Sequence, residues 1–168
     1  MQAELYWIEG SWPGKLAIAP RPRGGDWLPD EIQSWRNDGI DVVFSALTPD
    51  EELTLDLANE SHECATQQLE FLNYPIPDRE IPQNEALYAQ TIETLATRLT
   101  QGKNVLVHCR QGVGRAGLTA ISTLSFLGRD LDSAIAAVTH ARGVQVPETP
   151  AQLRWAQRHA QNHDYANK

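Results

Sequence analysis

With 168 residues, 41% of them apolar and 21% charged, the chain has room for one domain with its own core, and its composition excludes disorder and fibrous repeats. A net charge of -8 argues against long-range attraction to nucleic acid or an anionic membrane, so any anionic ligand has to be captured locally. Residues 116–128 form the longest uncharged apolar stretch, too short to span a bilayer, and no basic and apolar leader precedes the first strand; we therefore expect a soluble, cytoplasmic protein without a membrane anchor.

In chain order, residues 6–8 and 16–19 read as two short strands joined by a turn at 10–14, a hairpin-like start. Residues 21–25 form a loop, and 28–37 a helix with Ile32 and Trp35 on one face, closed by Gly39. The β-branched run 41–47 is a buried strand. Thr48-Pro49 opens the next helix with a capping hydroxyl, proline at the first position and acids Asp50, Glu51 and Glu52 in the first turn, while Leu53, Leu57 and Cys64 supply its inner face. A strand over 69–74 leads into the proline-punctuated loop 75–82. The helix over 84–100 turns Leu87, Ile92, Leu95 and Leu99 inward, and the strand 104–108 is apolar throughout, as in a sheet covered on both faces. Helices over 116–127 and 131–142 follow. A last one opens at Thr149-Pro150 and runs to about 160, before a polar tail from about 161 that we expect to fray. Strands each followed by a helix predict an α/β protein with a central, mostly parallel sheet flanked by helices, one domain spanning residues 1–168. Ligands in such folds sit at the carboxyl ends of strands, where His108 and Cys109 lie.

The segment after the strand 104–108 carries the most chemistry. It runs Cys109-Arg110-Gln111-Gly112-Val113-Gly114-Arg115, with a further glycine at 117. A thiolate, not a thiol, is nucleophilic, so a reactive cysteine needs positive surroundings. Backbone amides from Arg110 through Gln111, Gly112, Val113 and Gly114 can curl around an oxyanion. The helix that starts there points its positive end at the same spot, and Arg115 offers a two-pronged donor. The alternative is a tight strand-to-helix turn around a small buried cysteine.

His108-Cys109, five residues and Arg115, followed by a helix, resembles the signature of the cysteine-dependent protein tyrosine phosphatases; the length is similar to the compact dual-specificity branch. The resemblance implies a phosphoric monoester hydrolase, a protein tyrosine or dual-specificity phosphatase with a dual-specificity phosphatase-like fold. It implies Cys109 as the nucleophile that becomes phosphocysteine, Arg115 as the phosphate clamp, and His108 as a residue that orients the loop and helps keep the thiol ionised. It needs no metal and no cofactor, and its substrate would be a phosphorylated protein or a small phosphomonoester. An upstream aspartate acts as general acid in such enzymes. Asp78, in Tyr74-Pro75-Ile76-Pro77-Asp78, fits; as a residue it also reads as an ordinary turn aspartate, and Glu80 is its rival. Gln152, in Pro147-Glu148-Thr149-Pro150-Ala151-Gln152, resembles the glutamine that positions the hydrolytic water, and equally reads as a solvated first-turn residue beside the Thr149 cap. Arg110 adds charge for the substrate or faces solvent.

Most relatives carry serine or threonine directly after the loop arginine; here that position is Ala116, as in the similar phosphatases of regenerating liver. The missing hydroxyl predicts slow release of the phosphocysteine, or in the limit a binding module that turns over little. Phosphatases of small-molecule or lipid phosphates, and arsenate reduction or sulfur transfer, are further alternatives. His62-Glu63-Cys64 begins like a zinc helix, but Thr66 stands where a second histidine is needed. Cys64 reads as a buried structural thiol, with a redox partnership to Cys109 as the alternative. The scattered tryptophans suggest packing, and Arg21 and Arg23 read either as site rim or as solvated loop. Nothing in the sequence states the oligomeric state.

Overall fold

The computed structural model describes residues 4–166, with side chains through Ala160. Five strands form one sheet in the order β1-β2-β5-β3-β4: β1 (Tyr6–Ile8), β2 (Leu16–Ala19), β3 (Val42–Ser45), β4 (Glu70–Asn73) and β5 (Val105–His108). β1 runs antiparallel to β2; the other pairings are parallel. This is the α/β, mostly parallel sheet that the alternation of elements predicts.

The central strand β5 is buried at every position because it separates two cores. Val105 and Val107 face one with Ile92, Leu95, Leu118, Ile121 and Trp155, from α4 (Glu85–Thr100), α5 (Arg115–Phe126) and α7 (Pro150–Ala166), joined by Ala134 and Val138 of α6 (Leu131–Arg142). Leu106 faces the other, with Leu28, Ile32 and Trp35 of α1 (Leu28–Asn37) and Cys64 of α3 (Glu60–Thr66). This period-2 division sends Cys109 to the first core and the ring of His108 to the second layer, against Trp35.

Three expectations are corrected. The helix opened by Thr48-Pro49 is not continuous: α2 (Pro49–Thr54) ends after six residues, the chain turns through Asp56 at φ +57°, and α3 begins anew. Leu53 therefore loses its helical phase with Leu57 and stands 72% exposed, while Leu57 and Cys64 are buried. In α4 the inward stripe is Tyr88, Ile92, Leu95, Ala96 and Leu99, so Leu87 falls one step off it and is exposed. α7 continues to Ala166, past the expected end near 160, since no glycine or proline interrupts 151–166; Asn167 and Lys168, at the end of the tail expected to fray, lie outside the described residues. No described helix is long and apolar enough to cross a membrane.

Candidate active site

Parallel pairing brings Ala19, His108 and Ser45 into register, so the strands β2, β5 and β3 end together and the loops that follow them share one edge of the sheet. The loop 109–114 closes on the N-terminus of α5. Gly112 is required there twice over: its φ is +73°, and a Cβ would stand 2.5 Å from the backbone carbon of Ala19. The loop is braced from outside. Arg142, at the end of α6, donates from Nε to the carbonyl of Gly112 (3.0 Å) and from its Nη2 to that of Gln111 (3.2 Å); the amide of Arg21 donates to the carbonyl of Arg110 (3.2 Å). In a planar trans peptide the N–H points opposite to the C=O, so the amides of Gln111, Gly112 and Val113 turn away from these donors, toward the inner side of the loop. The bracing role of Arg142 has no local signal in the sequence, where it is only the basic end of a helix.

A cavity of about 100 Å³ opens over this loop, lined by Asp78, Arg79, Cys109, Gln111, Gly114, Arg115 and Glu148. Cys109 lies at its floor, 3% exposed. Arg115 is 1% exposed and extends from the first turn of α5. Its Nη1 donates to Glu51 Oε2 (2.7 Å) and the carbonyl of Ile76 (2.8 Å); its Nη2 donates to Glu51 Oε1 (2.8 Å) and Asp78 Oδ1 (3.1 Å). Burial works against the charge on Arg115, but the Glu51 bonds, with the negative charges of Cys109, Glu51 and Asp78, outweigh it and hold the guanidinium above its ordinary value. Burial likewise works to raise the Glu51 carboxyl, and the bonds from Arg115 and Thr48 overcome it and keep it below the usual carboxylate value.

Glu51 is a site residue that sequence reasoning passed over as a first-turn acid. The signal was there: Thr48 and Glu51 form a capping box, with the Glu51 amide 3.3 Å from Thr48 Oγ1 and the Thr48 amide 2.9 Å from Glu51 Oε2. That box fixes a carboxylate just past the end of β3, on the same edge as the cysteine loop.

Asp78 lines the cavity and touches Arg115, whereas its rival Glu80 enters this region through its carbonyl, which accepts from Gln152 Nε2 at 3.2 Å. Gln152 is fully buried, which corrects the solvated reading, although Thr149 does cap the helix: the Gln152 amide donates to Thr149 Oγ1, and Gln152 Oε1 accepts from the amides of Glu148 and Thr149, each at 3.2 Å. A Cβ on Gly114 would lie 3.1 Å from the Gln152 amide group, so the glutamine abuts the loop. Arg79 and Glu148 pair at 2.7 Å and join the 75–82 loop to the 147–150 loop beside the cavity.

Of the remaining expected contacts, Arg110 is exposed and does not line the cavity, and the Val113 side chain packs against the core, leaving its amide for the loop. Arg23 is committed to buried Glu31 (2.8 Å) and lies 4.4 Å over the Trp27 ring, and Arg21 donates to the carbonyl of Pro22. Cys64 sits in the opposite core from Cys109, where burial pushes its thiol up; this favours the structural reading over the redox one. His62 is exposed and Cys64 fully buried, so the two do not share a face as metal ligands would.

Compared with solved structures, the chain is similar to kinase-associated phosphatase with its catalytic-site cysteine substituted by serine (TM-score 0.88, 19% identity, covering 98% of this chain and 97% of that one). It is also similar to Tk-PTP in its active form (TM-score 0.73, 23% identity, 94% and 96%) and to PTPMT1 in complex with PI(5)P (TM-score 0.76, 17% identity, 91% and 94%). At these identities the likeness shows the fold. No curated protein matches the chain in sequence. The family model described as PTP-SAK, the Swiss Army Knife protein DSP-PTPase phosphatase domain, matches residues 5–163. With that match over nearly the whole length, the chain belongs to the Swiss Army Knife DSP-PTPase phosphatase domain family, within the compact dual-specificity branch of the protein tyrosine phosphatase superfamily.

Proposed function

We propose that the protein hydrolyses phosphoric monoesters in two steps through a phosphocysteine on Cys109, as a protein tyrosine or dual-specificity phosphatase. The observation that carries this reading is the meeting of Cys109, Arg115 and Asp78 at one small cavity over a loop of inward amides. In the first step Cys109 Sγ attacks phosphorus and the ester P–O bond breaks, while Asp78 passes its proton to the leaving oxygen. Arg115 and the amides of Gln111, Gly112 and Val113 hold the equatorial oxygens. In the second step a water oriented by Gln152 attacks phosphorus, the Asp78 carboxylate accepts its proton, and the P–S bond breaks to return the thiolate.

Asp78 Oδ1 accepts from Arg115 Nη2 at 3.1 Å, so an incoming phosphate competes with it for the guanidinium and frees it to act as an acid. The test is Asp78→Asn. Turnover of an alkyl phosphate, whose leaving group needs a proton, should fall about a hundredfold on the acid side of the profile, and the decline toward basic pH should disappear. For an activated aryl phosphate the loss should be much smaller. An unchanged profile would exclude Asp78 as the acid and reopen arsenate reduction or sulfur transfer.

A second reading, a slow enzyme or phosphate-binding module, is favoured by Ala116. That side chain is fully buried in the first turn of α5, and the first hydroxyl along the helix, Thr119, is committed to the carbonyl of Arg115 (2.9 Å) and to Tyr88 (2.7 Å). A hydrogen bond to a charged group contributes about 1.5 to 3 kcal/mol, so Ala116→Ser should speed phosphocysteine hydrolysis roughly tenfold to a hundredfold. Rapid mixing of the unaltered protein with an aryl phosphate should show a burst of one leaving group per site. A linear trace, with no gain from Ala116→Ser, would remove this reading. The PI(5)P complex of PTPMT1 keeps phospholipids among the substrates to be screened alongside phosphopeptides and small phosphomonoesters.

A further inference from the structure

Behind the cysteine loop, on the far face of the sheet from the cavity, lies a buried histidine–carboxyl contact for which the two-step scheme has no use. Glu60, in the first turn of α3, is 1% exposed and His108 fully buried. His108 Nε2 stands 2.5 Å from Glu60 Oε1, His108 Nδ1 stands 3.4 Å from the carbonyl oxygen of Cys109, and the imidazole is tilted against Trp35 with ring centroids 5.8 Å apart. The other oxygen, Glu60 Oε2, is buried without a partner. Burying a carboxyl group with half its hydrogen-bonding capacity unmet is costly, and neighbouring positions in this layer are filled by Leu57, Ile32 and Leu106. Removing the carboxyl alone would leave His108 Nε2 buried without a partner, so Glu60 and the imidazole are held as a pair.

Hydrogen-bond accounting limits what that is. The Cys109 carbonyl can only accept, so Nδ1 carries hydrogen, and Nε2 faces an oxygen of a carboxyl group. The charged groups around the pair are few. α2 contributes Glu52, whose carboxyl is held above its ordinary value first by burial, then by the negative charge of Glu60, with the positive charge of His108 opposing. α3 contributes Glu63 and the Cys64 thiol, which feels both Glu60 and Glu63. α1 contributes Glu31, already paired with Arg23, and β3 presents uncharged Ser45 beside His108. In front lie Cys109 and Arg115. Of these acids, Glu60 meets the imidazole directly and Glu52 interacts with it from α2.

We propose that Glu60 is a positioning residue for the nucleophile: its carboxylate holds His108 as an imidazolium with Nδ1–H directed at the Cys109 carbonyl, placing a fixed positive charge behind the sulfur. This rests on the reading of Cys109 as the nucleophile and adds a third acid to the machinery, beside Glu51 on the arginine and Asp78 on the leaving group.

Two measurements test it. In the unaltered protein, nitrogen NMR of the His108 ring between pH 5 and 7 should show both ring nitrogens protonated; a neutral ring overturns the proposal and needs no variant to fold. Second, the rate at which iodoacetamide alkylates Cys109, located by mass spectrometry to separate it from Cys64, should fall about tenfold at pH 6 in Glu60→Gln and stay unchanged above pH 10, well above the ordinary thiol value. In a His108→Asn background the added Glu60→Gln should change nothing further. A Glu60→Gln protein that folds and alkylates at the original rate at pH 6, or whose effect adds in full to that of His108→Asn, overturns the proposal. Alkylation reads the thiol without a phosphate ester. Normal alkylation of a protein that turns over no phosphomonoester would sink the hydrolase reading and leave Glu60 in place.

Discussion

Cys109→Ser is expected to lower turnover of an aryl phosphate by at least about four orders of magnitude while leaving the thermal melt within about 1 kcal/mol of the original. The change is nearly isosteric at a position 3% exposed in a well-packed core, so the fold loses little. The proposed chemistry loses its nucleophile. A serine hydroxyl is not ionised near neutral pH and would need a base within hydrogen-bond reach. His108 cannot supply one: its ring lies on the opposite face of the sheet, with Nε2 engaged by Glu60 and Nδ1 toward the Cys109 carbonyl. Asp78 is held by Arg115. The loop amides and Arg115 remain, so the variant should still bind inorganic phosphate or a phosphopeptide, measurable by calorimetry. A variant that kept more than about one part in a hundred of the turnover would mean that another group attacks phosphorus.

The parts of this protein legible in its sequence are those written in local signals. Each strand of the sheet shows as a β-branched or apolar run, and the cysteine loop announces itself because cysteine, glycines and arginine fall within seven positions. Elements failed where tertiary packing sets the phase: a single turn at Asp56 uncouples Leu53 from Leu57, and the inward stripe of α4 begins at Tyr88, not Leu87. Within the site, the residues that hold the arginine, the cysteine loop and His108 from afar were the illegible ones. Glu51, Arg142 and Glu60 approach from 64, 30 and 48 positions away, and only their common position at the carboxyl edge of the sheet or beneath it brings them in. A single sequence shows such a residue as an acid or base on a helix. The register of β3, β4 and β5 makes it a partner.

The arginine is where that long-range assembly should be felt most strongly. Arg115→Lys is expected to cut kcat/KM for a phosphomonoester on the order of a thousandfold, equivalent to about 4 kcal/mol of transition-state stabilisation. The guanidinium serves Glu51 with two parallel bonds, the Ile76 carbonyl with a third and Asp78 with a fourth, all from one planar fork. An ammonium has three donors around a single point, so it can satisfy the Glu51 carboxylate or grip an incoming phosphate, but not in the same geometry. Glu51→Gln separates holding the arginine from binding the phosphate. It leaves Arg115 charged and able to reach substrate but loosens its orientation, so kcat should fall more than KM rises. Its stability cost, about 2 to 3 kcal/mol for breaking a largely buried pair, carries a pH signature. Because the folded-state carboxyl of Glu51 lies below its ordinary value of 4.5, the stabilisation is fully present above that value and is lost as pH falls through the lower folded one. Urea melts of the two proteins should therefore differ by a constant amount above about pH 5 and converge toward pH 3. A gap that persisted unchanged at pH 3 would show that Glu51 stabilises the fold by packing, and that the arginine is held in place by something other than its charge.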